Sequence, residues 1–368
     1  MKLSRTVMVV LVVVVVAVVV LSAYTIFLLS PSPACTSTWR CGIVYPLQVG
    51  GTSGVAGQQC VSNDAYVYCI GGQDANGGPR SEVYSSSPIS SSSSNITSWV
   101  LNANRYPQNI DGQSCTVYSG YVYCVGGTYN DNGDDVPSSY YAKLGDTGQV
   151  GNWSSTTAYP VPIDSQSCAT SSSYILCVGG DNETDGSSAD AVWSDSVWYA
   201  QLSTAGIGSW SPTAAYPGGT YFPSCISADG YIYCFGGIDT NGNSVNAAYY
   251  APVSSDGVGA WTATTNYPVQ VSGQACAVSS GYVYCVGGVT GGGQNPTFAN
   301  GAYYAPVSQT GVGAWSKAQN FPQSAWTDCV TSSGELYCIG GFDGSSLGEN
   351  NIVNYASLTS LSSTTTQG

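Results

Sequence analysis

Residues 276–288 read CAVSSGYVYCVGG: two cysteines with eight residues between them, a turn in the middle, and a Gly-Gly pair one residue after the second cysteine. The β-branched and aromatic residues on either side of Ser280-Gly281 read as two strands joined by a two-residue turn, a β-hairpin. Counting outward from that turn sets Ser279 opposite Tyr282, Val278 opposite Val283 and Cys276 opposite Cys285. The two sulfurs are then cross-strand neighbours in a non-hydrogen-bonded pair, with Cα atoms about 4.5 Å apart, at the short end of disulfide geometry.

The same stretch occurs six times. The cysteine pairs are Cys60/Cys69, Cys115/Cys124, Cys168/Cys177, Cys225/Cys234, Cys276/Cys285 and Cys329/Cys338, each followed by an apolar residue and two glycines, at a period of 51 to 57 residues. Ser119-Gly120, Asp229-Gly230 and Ser333-Gly334 occupy the turn position; Asp64-Ala65 and Ser172-Ser173 fit it less well. A period near 50 is that of a blade-type repeat. After Gly-Gly, each unit has a loop rich in Gly, Asn and Asp, an aromatic strand such as AYYAPV, a turn, a Trp strand and an aromatic-Pro pair. Trp99, Trp153, Trp210, Trp261 and Trp315 supply only five tryptophans for six Gly pairs. The missing one stands at the other end, where Trp39 and Tyr45-Pro46 precede the first cysteine pair and the last unit stops after Tyr355.

An apolar strand ending in Gly-Gly, then a spaced Tyr and a spaced Trp, resembles the kelch repeat, over roughly Trp39 to Leu358. The resemblance implies an all-β, six-bladed β-propeller of kelch type, closed by an N-terminal outer strand. Kelch-related propellers include a copper radical oxidase and sugar-processing enzymes, but this chain has no histidine, which removes the copper site and any Ser-His-Asp triad. Beyond the N-terminal segment its only arginines are Arg40, Arg80 and Arg105, and no full Asp box accompanies them. No catalytic residue is therefore expected, although a carboxylate-only glycosidase is compatible with the composition.

Composition bounds the setting. Seven Lys plus Arg against twenty-one Asp plus Glu give a net charge of -14, which would repel a phosphate backbone, so nucleic acid is not an expected partner. Only 8% of residues are charged; this describes either an ordinary acidic secreted surface or one that stays soluble in acid. Fourteen cysteines without any C-x-x-C spacing point to disulfides and an oxidising compartment rather than zinc. The remaining pair, Cys35 and Cys41, would close a small loop.

Lys2 and Arg5 precede an uninterrupted apolar run, residues 7–29, long enough to span a bilayer as a helix with everything after it outside. The expected organisation is a cytoplasmic N-terminus (1–6), a transmembrane signal anchor (7–29), a linker (30–38), the propeller (39–359) and a Ser/Thr-rich tail (360–368). Localisation is then the cell membrane with the propeller extracytoplasmic, or secretion if the segment is cleaved after Ala34.

Under the kelch resemblance, the loops after Gly-Gly share a face with the segments that lead into each cysteine pair. Trp193, Tyr221, Phe222 and Trp326 are the aromatic candidates for ligand contact there, since ring faces bind sugars and protein partners. Gln58, Gln113, Gln166 and Gln274, each two residues before a cysteine, would offer amides either to a glycan or to one another. Asp131, Asp134 and Asp135, with Asp181, Glu183 and Asp185, are the densest oxygen donors and the candidate calcium ligands; the same residue types also simply make turns. No other cofactor is expected. Asn95, Asn152 and Asn182 begin glycosylation sequons. The functional expectation is a membrane-anchored, non-catalytic module that binds a surface protein or glycan. The alternatives are a structural envelope component and a sugar-acting propeller enzyme.

Overall fold

The computed structural model describes residues 35–36, 38–46, 48–49, 52–129, 133–182, 193–217, 221–291, 296–322, 325–342 and 350–362. The expected anchor at 7–29 lies outside them. Among the described residues no helix is long and apolar enough to cross a membrane.

The described chain is all-β, built from antiparallel sheets. Six of these have four or five strands, and each starts with one of the cysteine hairpins. The register is the one the turn demands: Ser279 faces Tyr282, Val278 faces Val283 and Cys276 faces Cys285. Ser280 and Gly281 both take positive φ, 51° and 78°, the requirement of a type I′ turn. The first hairpin, which lacks Gly, uses a wider loop from Asn63 to Tyr66 and still sets Cys60 opposite Cys69.

All six hairpin pairs are disulfides, Cys60–Cys69, Cys115–Cys124, Cys168–Cys177, Cys225–Cys234, Cys276–Cys285 and Cys329–Cys338, with Cα–Cα distances of 4.0 to 4.2 Å. The expected pairs are all formed, and the two cysteines of a pair differ in their burial. The second of each, Cys69, Cys124, Cys177, Cys234, Cys285 and Cys338, is 0% exposed and packs in the sheet interior. These six are core groups rather than members of an accessible site. The reason is their strand: it is the second in its sheet, with a hydrogen-bonded neighbour on either side, as Cys124 has Cys115 and Tyr140 and Cys177 has Cys168 and Trp198. The first cysteines, Cys60, Cys115, Cys168, Cys225, Cys276 and Cys329, instead line a common cavity. Cys35 and Cys41 are also disulfide-bonded, and no described cysteine is free.

In the last sheet the outer strand is Arg40–Cys41, paired to Val353–Ser357 with Arg40 opposite Tyr355. The N-terminal segment thus supplies the strand that the last unit lacks.

Two devices join each sheet to the next. The first is aromatic: the Tyr of each Tyr-Pro pair inserts edge-to-face against the Trp of the following sheet, as Tyr106 on Trp153 (4.9 Å), Tyr159 on Trp210 (5.0 Å), Tyr216 on Trp261 (5.0 Å) and Tyr267 on Trp315 (4.9 Å). Phe321 meets Trp39 (4.9 Å) and Tyr45 meets Trp99 (5.1 Å), so the N-terminal segment enters the same series at both of its sides. Such pairs contribute about 0.5–1.5 kcal/mol each beyond the area they bury.

The second device is polar. The second glycine of the Gly-Gly pair donates its amide to a carbonyl of the next unit: Gly72 to Ile110, Gly127 to Ile163, Gly237 to Val271 and Gly341 to Val55. A Cβ on Gly127 would lie 2.8 Å from the Asp111 carbonyl oxygen, and φ there is +104°, so the approach requires glycine. Beside these, in four units the side chain before the first cysteine reaches the next unit's cysteine amide, Gln59 Oε1 accepting from Cys115 N at 3.3 Å. Ser114 Oγ accepts from Cys168 N and Ser167 Oγ from Cys225 N, both at 2.9 Å, and Asp328 Oδ2 accepts from Cys60 N.

Packing continues through the short helix Leu358–Ser362, whose Leu361 is buried in the same cluster as Trp39.

Candidate functional site

The residue three before each first cysteine is Gly57, Gly112, Ser165, Phe222, Gly273 and Trp326 in turn. All six have φ between 50° and 65°, the left-handed region. Their amides and carbonyls link successive units: Gly112 N donates to Gly57 O, Ser165 N to Gly112 O, Gly273 N to Phe222 O and Trp326 N to Gly273 O. Glycine accepts that conformation freely, whereas a bulky side chain there is strained by about 1–2 kcal/mol. Phe222 and Trp326 carry that strain, and both face a cavity.

The cavity, about 310 Å³, is lined by the rings of Tyr221, Phe222, Trp326 and Phe342 and by Asp111, Asp164 and Ser165. A second cavity of about 240 Å³, the one lined by the first cysteines of all six units, includes Phe222 and Trp326. Trp326 packs against Phe342 at 5.1 Å and Phe222 at 5.9 Å, and Tyr221 packs against Phe222 at 4.1 Å. Trp193 stacks on Tyr221 with centroids 6.0 Å apart and planes within 5°. The four aromatic residues singled out from the sequence therefore form one connected group.

The carboxyls Asp111 and Asp164 in this lining were not singled out. The residue four before the first cysteine is Asp111 in the second unit and Asp164 in the third. Each is paired across a short ladder with a residue just after Gly-Gly, Asp111 with Thr128 and Asp164 with Asp181. Thr128 is in turn paired with Asp135 and donates its hydroxyl to Asp135 Oδ1 at 3.2 Å. Directly opposed residues project to the same face, so these pairings gather carboxyls from both sequence-predicted loops. Asp164 also leans over its neighbour: a Cβ on Gly112 would lie 3.2 Å from Asp164 Oδ2.

Burial raises the Asp111 carboxyl to about 6. Burial, with the negative charges of Asp135, Asp181 and Asp111 added, pushes Asp164 well above the usual carboxylate range, against a hydrogen bond from Ser165 Oγ at 2.8 Å. Asp181 is raised by burial as well, and its Oδ1 is buried without a hydrogen-bond partner. The Tyr221 hydroxyl is raised by burial and then by the charges of Asp164, Asp181 and Asp135. Asp131, Glu183 and Asp185 lie outside the described residues. Among the described residues no three or more His, Cys, Asp or Glu side chains are grouped to hold a metal ion.

The four glutamines stand one step deeper. Each Nε2 donates to the carbonyl just before the preceding unit's Gly-Gly pair: Gln58 to Ile339 (2.5 Å), Gln113 to Ile70 (2.8 Å), Gln166 to Val125 (2.7 Å) and Gln274 to Phe235 (2.7 Å). These side chains are buried and join the units, while each Oε1 is left without a partner beside the shared cavity. Of the sequons, Asn95 and Asn152 are exposed, and Asn182 is partly buried with its Oδ1 enclosed.

No family model and no curated protein matches this chain. Among solved structures the chain is similar to one titled "Structure of YjhT", at 14% sequence identity and a TM-score of 0.67, over 85% of this chain and 95% of that one. At that identity the likeness concerns the fold alone.

Proposed function

We propose that the six sheets form one closed, six-bladed propeller of kelch type, held outside the cytoplasm by the segment 7–29, and that the cavity at its loop face binds a carbohydrate without transforming it. Support for closure comes from the bonds that run from the sixth unit to the first, Gly341 N to Val55 O and Cys60 N to Asp328 Oδ2. The seven disulfide pairs suit an oxidising exterior. The binding reading rests on one observation above others. Two large aromatic residues occupy left-handed positions that glycine fills in three of the other four units, and both line the cavity. Strain of this kind persists where a site requires it.

Because glycine is native at the equivalent positions, Phe222→Gly and Trp326→Gly remove the rings without disturbing the backbone. On a glycan array, the wild-type chain is expected to give a defined set of positives that each variant loses by about 10-fold or more, an aromatic platform contributing roughly 1–2 kcal/mol. Unchanged signals in both variants would place binding elsewhere, and a wild-type array without positives would refute the carbohydrate reading.

A further inference from the structure

Two carboxyls, Asp111 and Asp164, line an aromatic cavity, Asp181 is paired with Asp164 across a bridge beside it, and the described cations are committed elsewhere. Arg40 pairs with Glu335, Arg80 with Asp74 and Arg105 with Glu82, while Lys143 and Lys317 are exposed. Asp181 is 4% exposed, its Oδ1 has no hydrogen-bond partner, and its cross-strand pairing with Asp164 aims it to the side on which Asp164 lines the cavity. A buried carboxyl in this state, helped only by the Asn182 amide, either keeps its proton or costs free energy as the anion until something positive or hydrogen-bonding reaches it.

A metal ion is a poor match, since calcium needs six to eight oxygens at about 2.3–2.6 Å and no such group is assembled among the described residues. An organic ammonium needs no such shell. It takes one or two carboxylates on one side and the negative faces of aromatic rings on the other, and Tyr221, Phe222, Trp326 and Phe342 supply those rings. The cavity, about 310 Å³, falls at the lower end of the usual range of roughly 300–1,000 Å³, the size for one sugar unit rather than a chain. A net charge of -14 would draw a cation toward it.

We propose that the cavity lined by Asp111, Asp164 and the Phe222–Trp326 pair, with Asp181 paired to Asp164 beside it, recognises an amino sugar, its ammonium held by the carboxylates and its ring face by the aromatic rings. This rests on the carbohydrate reading above and narrows it to a cationic class.

The test is calorimetric titration of the full chain with D-glucosamine, N-acetyl-D-glucosamine and lysine amide at pH 6.5. Glucosamine is expected to bind at least 10-fold more tightly than its neutral acetylated form, to weaken with added salt, and to outbind lysine amide, which has the charge without the ring. Asp164→Asn and Asp181→Asn should each lower glucosamine affinity by a larger factor than they lower that of the acetylated sugar. Equal affinities for the two sugars, or no effect of either variant, would overturn the cationic class while leaving sugar binding intact. Lysine amide binding as tightly as glucosamine would overturn the sugar. Binding of neither sugar would overturn this proposal and the carbohydrate reading together.

Discussion

The first three units and the last three share one backbone at the loop face, yet they furnish it oppositely. At the position four before the first cysteine the first half has Ala56, Asp111 and Asp164, and the second half Tyr221, Ser272 and Ala325. The cross-strand partners after Gly-Gly are Gln73, Thr128 and Asp181 against Ile238, Val289 and Phe342. One half is acidic and the other aromatic. Pairing by register explains why: an exchange at one position changes the face its partner meets, so polarity settles by ladders rather than by single residues. What the halves share, the disulfide hairpins and Tyr–Trp plugs, holds the face together. What they do not share is where recognition can reside.

The largest expected effect is one that should not distinguish the halves. Each hairpin bridge closes a loop of about ten residues, worth about 2.7 kcal/mol in the chain-entropy model. Six of them together match the entire 5–15 kcal/mol of net stability typical of a folded domain. Full reduction is expected to unfold the chain at 25 °C in one transition, with hydrogen-exchange protection lost in all six hairpins alike. Survival of the aromatic half under reduction, with loss of the acidic one, would show that the plugs of Tyr216 and Tyr267 suffice without bridges and would break the equivalence.

A smaller effect should fall on the acidic half. Asp111 holds its proton to about 6 in the fold but releases it near 3.8 when unfolded. Its stabilising contribution is therefore complete below about pH 3.8 and is lost as pH rises through 6. Asp164 and Asp181 are raised in the same direction, and so is Asp328, which burial pushes up to about 7 in spite of the Cys60 and Cys329 amides. For Asp111 alone the shift corresponds to about 2–3 kcal/mol. Asp74 works the other way: burial opposes its charge, but the Asn76 amide and Arg80 hold it below the usual range, so its contribution is lost in stronger acid. Melting temperature is expected to be highest near pH 4–5 and to fall toward pH 7.5, and Asp111→Asn with Asp164→Asn should flatten that fall. A wild-type melting temperature that rises from pH 5 to 7.5 would contradict the burial of these carboxyls.

Much of this architecture was legible. The hairpin register followed from Ser280-Gly281 because a two-residue turn permits only one pairing, and the disulfides followed from the register. The unequal burial of their two ends did not, because Cys124 or Cys338 is enclosed by a third strand that the hairpin itself does not contain. The displaced Trp39 was legible because a missing member of a periodic set must stand somewhere. Tyr221, Phe222 and Trp326 were visible as aromatics in a segment otherwise held by small residues. Asp111 and Asp164 were not, although both lie at one repeat position. Carboxyls in a Gly- and Asn-rich chain read as turn formers, and their convergence depends on a ladder between segments 17 residues apart, Asp111 to Thr128 and Asp164 to Asp181. The glutamine spacing was legible but not the direction of its bonds, since an amide two residues before a cysteine could equally face a ligand or the preceding unit's carbonyl.

The smallest effect compares the halves at a single backbone position. Trp326→Gly relieves about 1–2 kcal/mol of left-handed strain and gives up ring contacts with Phe342 and Phe222 worth about 0.5–1.5 kcal/mol each. These nearly cancel, so the melting temperature should stay within about 2 °C of wild type. Gly112→Ala makes the reverse change in the acidic half. Its Cβ would enter a φ of +65° and come within 3.2 Å of Asp164 Oδ2, adding strain with no ring to offset it, so a loss of about 1 kcal/mol and a lower melting temperature are expected. If the tryptophan were there for packing alone, Trp326→Gly would be the more destabilising of the two. The order of the two melting temperatures therefore reports whether the aromatic half holds its rings for the fold or against it.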